Sequence, residues 1–218
     1  MFIGHFGVGF AAKKVAPKPS LGTLFIAAQF IDLIWPLLLL LGLERVRIDP
    51  GNTVVTPLNF VHFPFSHSLL AVLIWAGLVG GIYFYIKRDR NGAIWLAVLV
   101  MSHWLLDLIT HRPDLPLWPS DDSVFVGLGL WNSLAGTLIV EFGIYALGVF
   151  LYARVTRARD KTGTWAFWGL VVFLALIHIM NVFGPPPAEE GPIAYVGFAQ
   201  WLLVAWAYWI DRHREVRG

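Results

Sequence analysis

Cysteine is absent from the 218 residues. That excludes a disulfide framework, a thiolate nucleophile and any sulfur-ligated metal, so a metal site here has only His and carboxylates to draw on. Charge is scarce as well: Asp, Glu, Lys and Arg make up 14% of the chain, against about 25% in a soluble domain. Hydrophobic residues make up 57%, and the mean hydropathy is +0.67. These figures exclude a soluble globular domain and a disordered chain and leave an integral membrane protein with lipid-facing apolar surface. No Gly-rich phosphate loop, Gly-x-Ser-x-Gly elbow or EF-hand loop occurs in the sequence. Nucleic acid is not an expected partner.

Six stretches, approximately 21–43, 68–86, 92–110, 126–153, 165–184 and 193–210, are apolar enough to cross about 30 Å of hydrocarbon at about 1.5 Å per residue. The fourth is long enough to tilt or to begin in a short outer turn. The connections are short, so the expected architecture is one all-α domain over 1–218, a bundle of about six transmembrane helices. Residues 2–12 are apolar but too short to span. They precede their lysines instead of following them, which speaks against a cleavable signal peptide. A short re-entrant or interfacial helix is expected there, with Lys13 and Lys14 at its cytoplasmic end. Gly77, Gly80 and Gly81 suggest close helix packing.

The basic residues settle the expected orientation. Lys13, Lys14 and Lys18, then Lys87, Arg88 and Arg90, then Arg154, Arg157, Arg159 and Lys161, and finally Arg212, Arg214 and Arg217 all fall on one side of six spans. Only Arg45, Arg47 and Arg112 fall on the other. The positive-inside rule then puts both termini in the cytoplasm of a bacterial-type inner membrane. The loops 44–67, 111–125 and 185–192 face outward, with Asp49, Asp114, Asp121, Asp122, Glu189 and Glu190.

Ionisable groups inside a span are costly unless they are paired, hydrated or metal-bound. Asp32 lies midway along the first span, His103 and Asp107 in the outer half of the third, Glu141 in the fourth, and His178 with Asn181 in the fifth. In Ser102-His103-Trp-Leu-Leu-Asp107-Leu-Ile-Thr-His111 the spacing i, i+4, i+8 makes one stripe along a helix. Side chains four apart can ligate one ion; the plainer alternative is a His–Asp pair that stabilises the bundle. In His62-Phe-Pro64-Phe-Ser66-His67-Ser68, Pro64 is expected to bar regular helix, and Ser66 to cap the second span so that His67 points into the bundle. No Lys or Arg lies inside any span to neutralise Asp32. A metal is the one reading that accounts for Asp32 and the histidines together, and His5 joins them only if the first segment dips into the bilayer.

Four stretches carry a family resemblance: Gly-His5-Phe-Gly-Val-Gly, Asp32 in the first full span, Phe-Ser-His67-Ser-Leu, and Ser-His103-x-x-x-Asp107-x-x-Thr. In these the chain resembles the YdjM-like metal-dependent hydrolases of the bacterial inner membrane, over about residues 4–118. The resemblance implies that His5, Asp32, His67, His103 and Asp107 are metal ligands or their near neighbours. The chain departs from the family in having Pro64-Phe65 where Arg-Gly stands, Ser66 for Thr, and a single carboxylate, Asp32, for an acidic cluster.

The expected function is a membrane-embedded hydrolase acting on a lipid-like ester, amide or phosphoester. The preferred ligands are His67, His103 and Asp107, with Asp32 and His5 as further ligands or supports. Imidazole and carboxylate without thiolate suit Zn²⁺, or Mn²⁺ or Fe²⁺. Glu141 or His111 is the expected general base, and Ser66 or Ser102 a hydrogen-bonding partner of the substrate. Membrane lipid is the environment and the expected substrate. The rival is a transporter or channel that moves protons or divalent cations along the same His/Asp residues.

Overall fold

The structure, a computed structural model, describes residues 1–120 and 122–217, so Asp121 lies outside the described residues. It is an all-α membrane bundle with small two-stranded appendages. Helix α1 (Ile3–Ala11) is followed by α2 (Leu21–Ala28) and α3 (Phe30–Leu40). A hairpin of β1 (Arg45–Ile48) and β2 (Leu58–His62) leads to the single turn α4 (Pro64–His67), then α5 (Leu69–Lys87) and α6 (Arg90–Thr110). Strands β3 (Leu115–Pro116) and β4 (Phe125–Val126) pair before α7 (Leu134–Val155). Strand β5 (Thr156–Ala158), α8 (Lys161–Phe183), α9 (Gly191–Phe198), α10 (Gln200–His213) and β6 (Arg214–Val216) complete the chain.

Five helical segments are long and apolar enough to cross a membrane, or six when α2 and α3 count as one span. The first span is not one continuous helix: α2 and α3 meet at a bend of 59°. The break leaves Ala28 and Asp32 on either side of a helix end, where backbone groups lack intrahelical partners. The fourth span starts at Leu134, because 126–133 is used by β4 and a 3₁₀ turn over Leu130–Asn132. Ser133 caps α7, accepting from Gly136 N. The sixth stretch is α9 plus α10, joined at Ala199.

Two sequence expectations around the second span change. Pro64 does not bar helix; it opens α4, where its missing N–H costs nothing. The cap of α5 is therefore Ser68, whose Oγ accepts from Ala71 N at 3.2 Å, and Ser66 is left for another role.

Helix α1 is buried in the bundle, against α2, α6, α7 and α8. It gets there by backbone contact with α7. A Cβ on Gly148 would lie 1.9 Å from Gly7 O, and one on Gly7 would lie 2.7 Å from Tyr145 Cα. Small residues that let helix backbones touch drive such packing where lipid removes the hydrophobic incentive. The expected glycine contact is confined to Gly80, which abuts Ala93 O, while Gly77 and Gly81 face open space. Phe6, Phe10, Phe25, Tyr145, Tyr152 and Phe167 fill the core around α1.

The basic segments gather at one end of the bundle. Lys13 Nζ donates to Pro19 O at 2.7 Å, Asn91 Nδ2 to Val15 O at 2.9 Å, and Arg214 Nη2 to Thr156 Oγ1 at 3.0 Å. Strands β5 and β6 pair there, and His213 Nδ1 donates to Asp160 Oδ2 at 2.7 Å, which holds the Asp160 carboxyl below its ordinary range.

Candidate functional site

The break between α2 and α3, the turn α4 and the second half of α6 meet at one point. His103 and Asp107 reach it from α6, Asp32 from the first turn of α3, His67 from the end of α4, and His5 from α1. An acid in a helix's first turn is favoured by the backbone dipole, which suits Asp32. His5, His67, His103 and Asp107 are all buried, while the Asp32 side chain is 23% exposed, toward a cavity.

Hydrogen bonds set the tautomers of two rings. Nδ1 of His103 lies 2.7 Å from Ala28 O, a carbonyl that can only accept, so Nδ1 carries the proton. Nδ1 of His67 lies 2.6 Å from Ser66 Oγ, whose own proton goes to Glu44 Oε2 at 2.7 Å, so this Nδ1 also carries a proton. Glu44 is buried, and its Oε1 also accepts from Phe65 N and Ser66 N at 2.8 and 2.7 Å. On neutral rings both Nε2 atoms then present lone pairs, and both face carboxylates. His67 Nε2 is 3.5 Å from Asp32 Oδ1 and 3.8 Å from Asp107 Oδ2. His103 Nε2 is 3.5 Å from Asp32 Oδ2 and 3.2 Å from Asp107 Oδ2.

With neutral rings these are four acceptors turned toward one another, an arrangement that a second imidazole proton or a cation relieves. Ligand atoms of Asp32, His67 and His103 all lie within 4.8 Å of one another, as do those of His5, His103 and Asp107, so the five residues form two overlapping groups of three that could hold an ion. The other oxygen of Asp107 is already occupied. Oδ1 accepts from His5 Nε2 at 3.0 Å and from the Met1 amine at 2.6 Å, and the His5 ring stacks on His103 at 3.5 Å. His5 thus braces Asp107 and His103 from behind.

The remaining sequence candidates divide. His111 leaves the His103–Asp107 stripe because it ends α6 in extended backbone, ahead of Arg112-Pro113. Its ring lies between Phe63 and Trp131, and Nδ1 is 2.8 Å from Asp114 Oδ1. His111 lines the same cavity as Asp32. Glu141 sits apart from the converging acceptors and anchors α1, its Oε2 accepting from Phe2 N at 2.8 Å and Gly4 N at 3.5 Å. His178 is buried 3.9 Å from that oxygen and stacks on Phe2. Ser102 Oγ donates to Leu99 O within its own helix, and Ser66 serves Glu44 and His67, so neither hydroxyl is free for a substrate. His62 lies on β2, away from the cluster.

Sequence reasoning missed Glu44 and the Met1 amine. Glu44 sits at the edge of a loop, with no spacing that ties it to His67. A terminal amine leaves no motif at all.

The cavity beside the cluster has a volume of about 550 Å³. Trp35, Phe60 and Trp131 wall it near the histidines, and α8, α9 and α10 supply the far side.

The family model of the YdjM inner membrane protein matches residues 2–184, from the start of α1 through α8, which carries the likeness well past the third span. No curated protein and no solved structure matches the chain. With a matched segment that contains each of the five converging residues and most of the bundle, the chain belongs to the YdjM inner membrane protein family.

Proposed function

We propose that the chain is a membrane-embedded, metal-dependent hydrolase of a lipid-like substrate. One observation carries this reading: Nε2 of two buried imidazoles faces two carboxylates at 3.2–3.8 Å, with Nδ1 of each ring committed elsewhere. His67, His103, Asp107 and Asp32 are the residues to hold a divalent ion. Nitrogen and oxygen ligands in this number favour zinc, with Mn²⁺ or Fe²⁺ as the alternatives. Such an ion supplies a water whose pKa is brought near neutrality and a Lewis acid for the oxygen of the bond to be cut.

The chain's own groups do the rest. Asp114 orients His111 through Nδ1, which leaves Nε2 to take the proton of the attacking water. Oxygen from water joins the carbonyl or phosphoryl centre, the bond to the leaving oxygen or nitrogen breaks, and His111 returns its proton to that leaving atom. Between Glu141 and His111, the cavity position and the Asp114 contact favour His111 as the base, because Glu141 is engaged by backbone amides of α1. His5 and Glu44 hold ligands in place, as outer partners of metal sites do.

The test is elemental mass spectrometry on protein purified in mild detergent without an affinity His-tag, beside His103→Ala and Asp107→Ala. About one equivalent of zinc or manganese, lost in both variants, is the expected result and opens screens of lipid ester and amide hydrolysis. Well-folded wild-type protein without bound metal after exposure to zinc or manganese overturns the reading.

A further inference from the structure

The apolar lining of the cavity beside the cluster narrows the substrates that the hydrolase reading allows. Its lining contains no Lys or Arg. The ionisable groups that reach it are Asp32, Asp107, His67, His111 and the Met1 amine, and that amine is taken up by Asp107. Arg112 is the nearest guanidinium in sequence, and it is committed to Asp114 and Asn59. Asp32 and Asp107 are the carboxylates at this end of the cavity, and Asp107 already faces the Met1 ammonium. An anionic group along the apolar wall, away from that end, would have no partner, which desolvation opposes strongly. A carbonyl ester or amide brings no such group.

The far wall is shaped for hydrocarbon. Phe173 and Ile177 of α8, Val196 of α9, and Leu202, Leu203 and Trp206 of α10 form it. Val196 and Leu202 are 70% and 71% exposed, more than a closed wall permits. Helix α9 packs on α3, while α10 packs on α2 and α8. Val196 and Leu202 therefore bring this wall to the outer surface of the bundle. Gln200, at the start of α10, lines the cavity with its Oε1 buried and without a hydrogen-bond partner among the described residues, an acceptor waiting for an N–H or O–H donor. The volume suits one small amphiphile, since pockets that enclose a whole ligand run from about 300 to 1,000 Å³.

We propose that this cavity takes the single apolar chain of an uncharged amphiphile, an acyl ester or amide, which enters from the bilayer between α8 and α9–α10 and presents its carbonyl at the Asp32–Asp107 end. The identity of the reacting end rests on the hydrolase reading; the seating of the chain does not.

The experiment is photolabelling of the full chain in nanodiscs with a diazirine-tagged dodecanamide, mapped by peptide mass spectrometry. Unlabelled dodecanamide and dodecyl phosphate serve as competitors. Expected is saturable labelling within 173–181 and 193–206, competed by dodecanamide at least about tenfold better than by dodecyl phosphate. Leu203→Trp, which fills the cavity, abolishes the saturable part. Ile177→Trp does the same from the opposite wall and substitutes for it if Leu203→Trp does not fold. Labelling that never saturates, or that spreads evenly over all the lipid-facing helices, overturns the proposal. So does competition by dodecyl phosphate equal to that by the amide. The metal content of the wild-type protein separates the two readings. Saturable labelling of wild-type protein that binds no zinc or manganese leaves the chain site standing while the hydrolase reading falls; His103→Ala protein that loses the metal and keeps the labelling is the result expected when both hold.

Discussion

The hydroxyl of Ser66 lies 2.6 Å from Nδ1 of His67 and donates a hydrogen bond to the buried carboxylate of Glu44. This short relay decides which ring nitrogen of His67 faces Asp32 and Asp107. Ser66→Ala and Glu44→Gln are therefore expected to weaken zinc binding by about 10–100-fold, the usual effect of removing an outer partner of a ligating histidine. Ser66→Thr keeps the hydroxyl and is expected to keep the affinity. Competitive titration with a chromogenic chelator reads all three, and equal affinities across the series would rule the relay out.

His111 and Glu141 are expected to separate cleanly. His111→Asn lowers kcat on a cleaved ester by about 10²–10⁴-fold, the span of general base catalysis, with metal content unchanged. Asp114→Asn moves kcat in the same direction by releasing the ring. Glu141→Ala acts on stability instead. It strips the acceptor from Phe2 N and Gly4 N and costs about 1–3 kcal/mol, seen as a lower Tm. A Glu141→Gln protein with wild-type stability and no turnover would reverse these assignments.

Gly7 and Gly148 set how deeply α1 sits. Gly148→Ala forces a methyl against backbone that cannot swing aside, at a cost of about 1–3 kcal/mol or more. Because His5 rides on α1, metal retention falls along with Tm. Gly81→Ala, with open space around it, is expected to stay within about 0.5 kcal/mol of wild type. Thermal unfolding in detergent, with metal content measured alongside, compares the pair.

Proton or divalent-cation flux through this chain is expected to match that of empty liposomes. From His5 toward the basic end, the core around α1 is filled by Phe6, Phe10, Phe25, Tyr152 and Phe167. Apart from the Tyr152 hydroxyl, which has no hydrogen-bond partner among the described residues, this filling is hydrocarbon and gives no hydrogen-bonded path. Dye-quench assays on reconstituted protein, with and without zinc, test it. A flux that His103→Ala abolishes would favour the transporter reading.

Much of this was legible in the chain itself. Length and apolarity determine the spans, because a backbone in lipid must satisfy its own hydrogen bonds as helix. The i, i+4 spacing of His103 and Asp107 determines that they share a helix face. The scarcity of buried cations makes Asp32 and the histidines conspicuous. What the chain alone left open is decided by long-range contact. The bend at Gln29 sets Ala28 O against His103. A one-turn helix opened by Pro64 hands the cap of α5 to Ser68 and frees Ser66 for His67. The approach of Gly7 to Gly148 buries α1 and delivers His5. Helix periodicity reports only neighbours within one helix, whereas the convergence of lone pairs at this centre joins residues up to about a hundred positions apart, and only the packed backbone brings them within 4 Å.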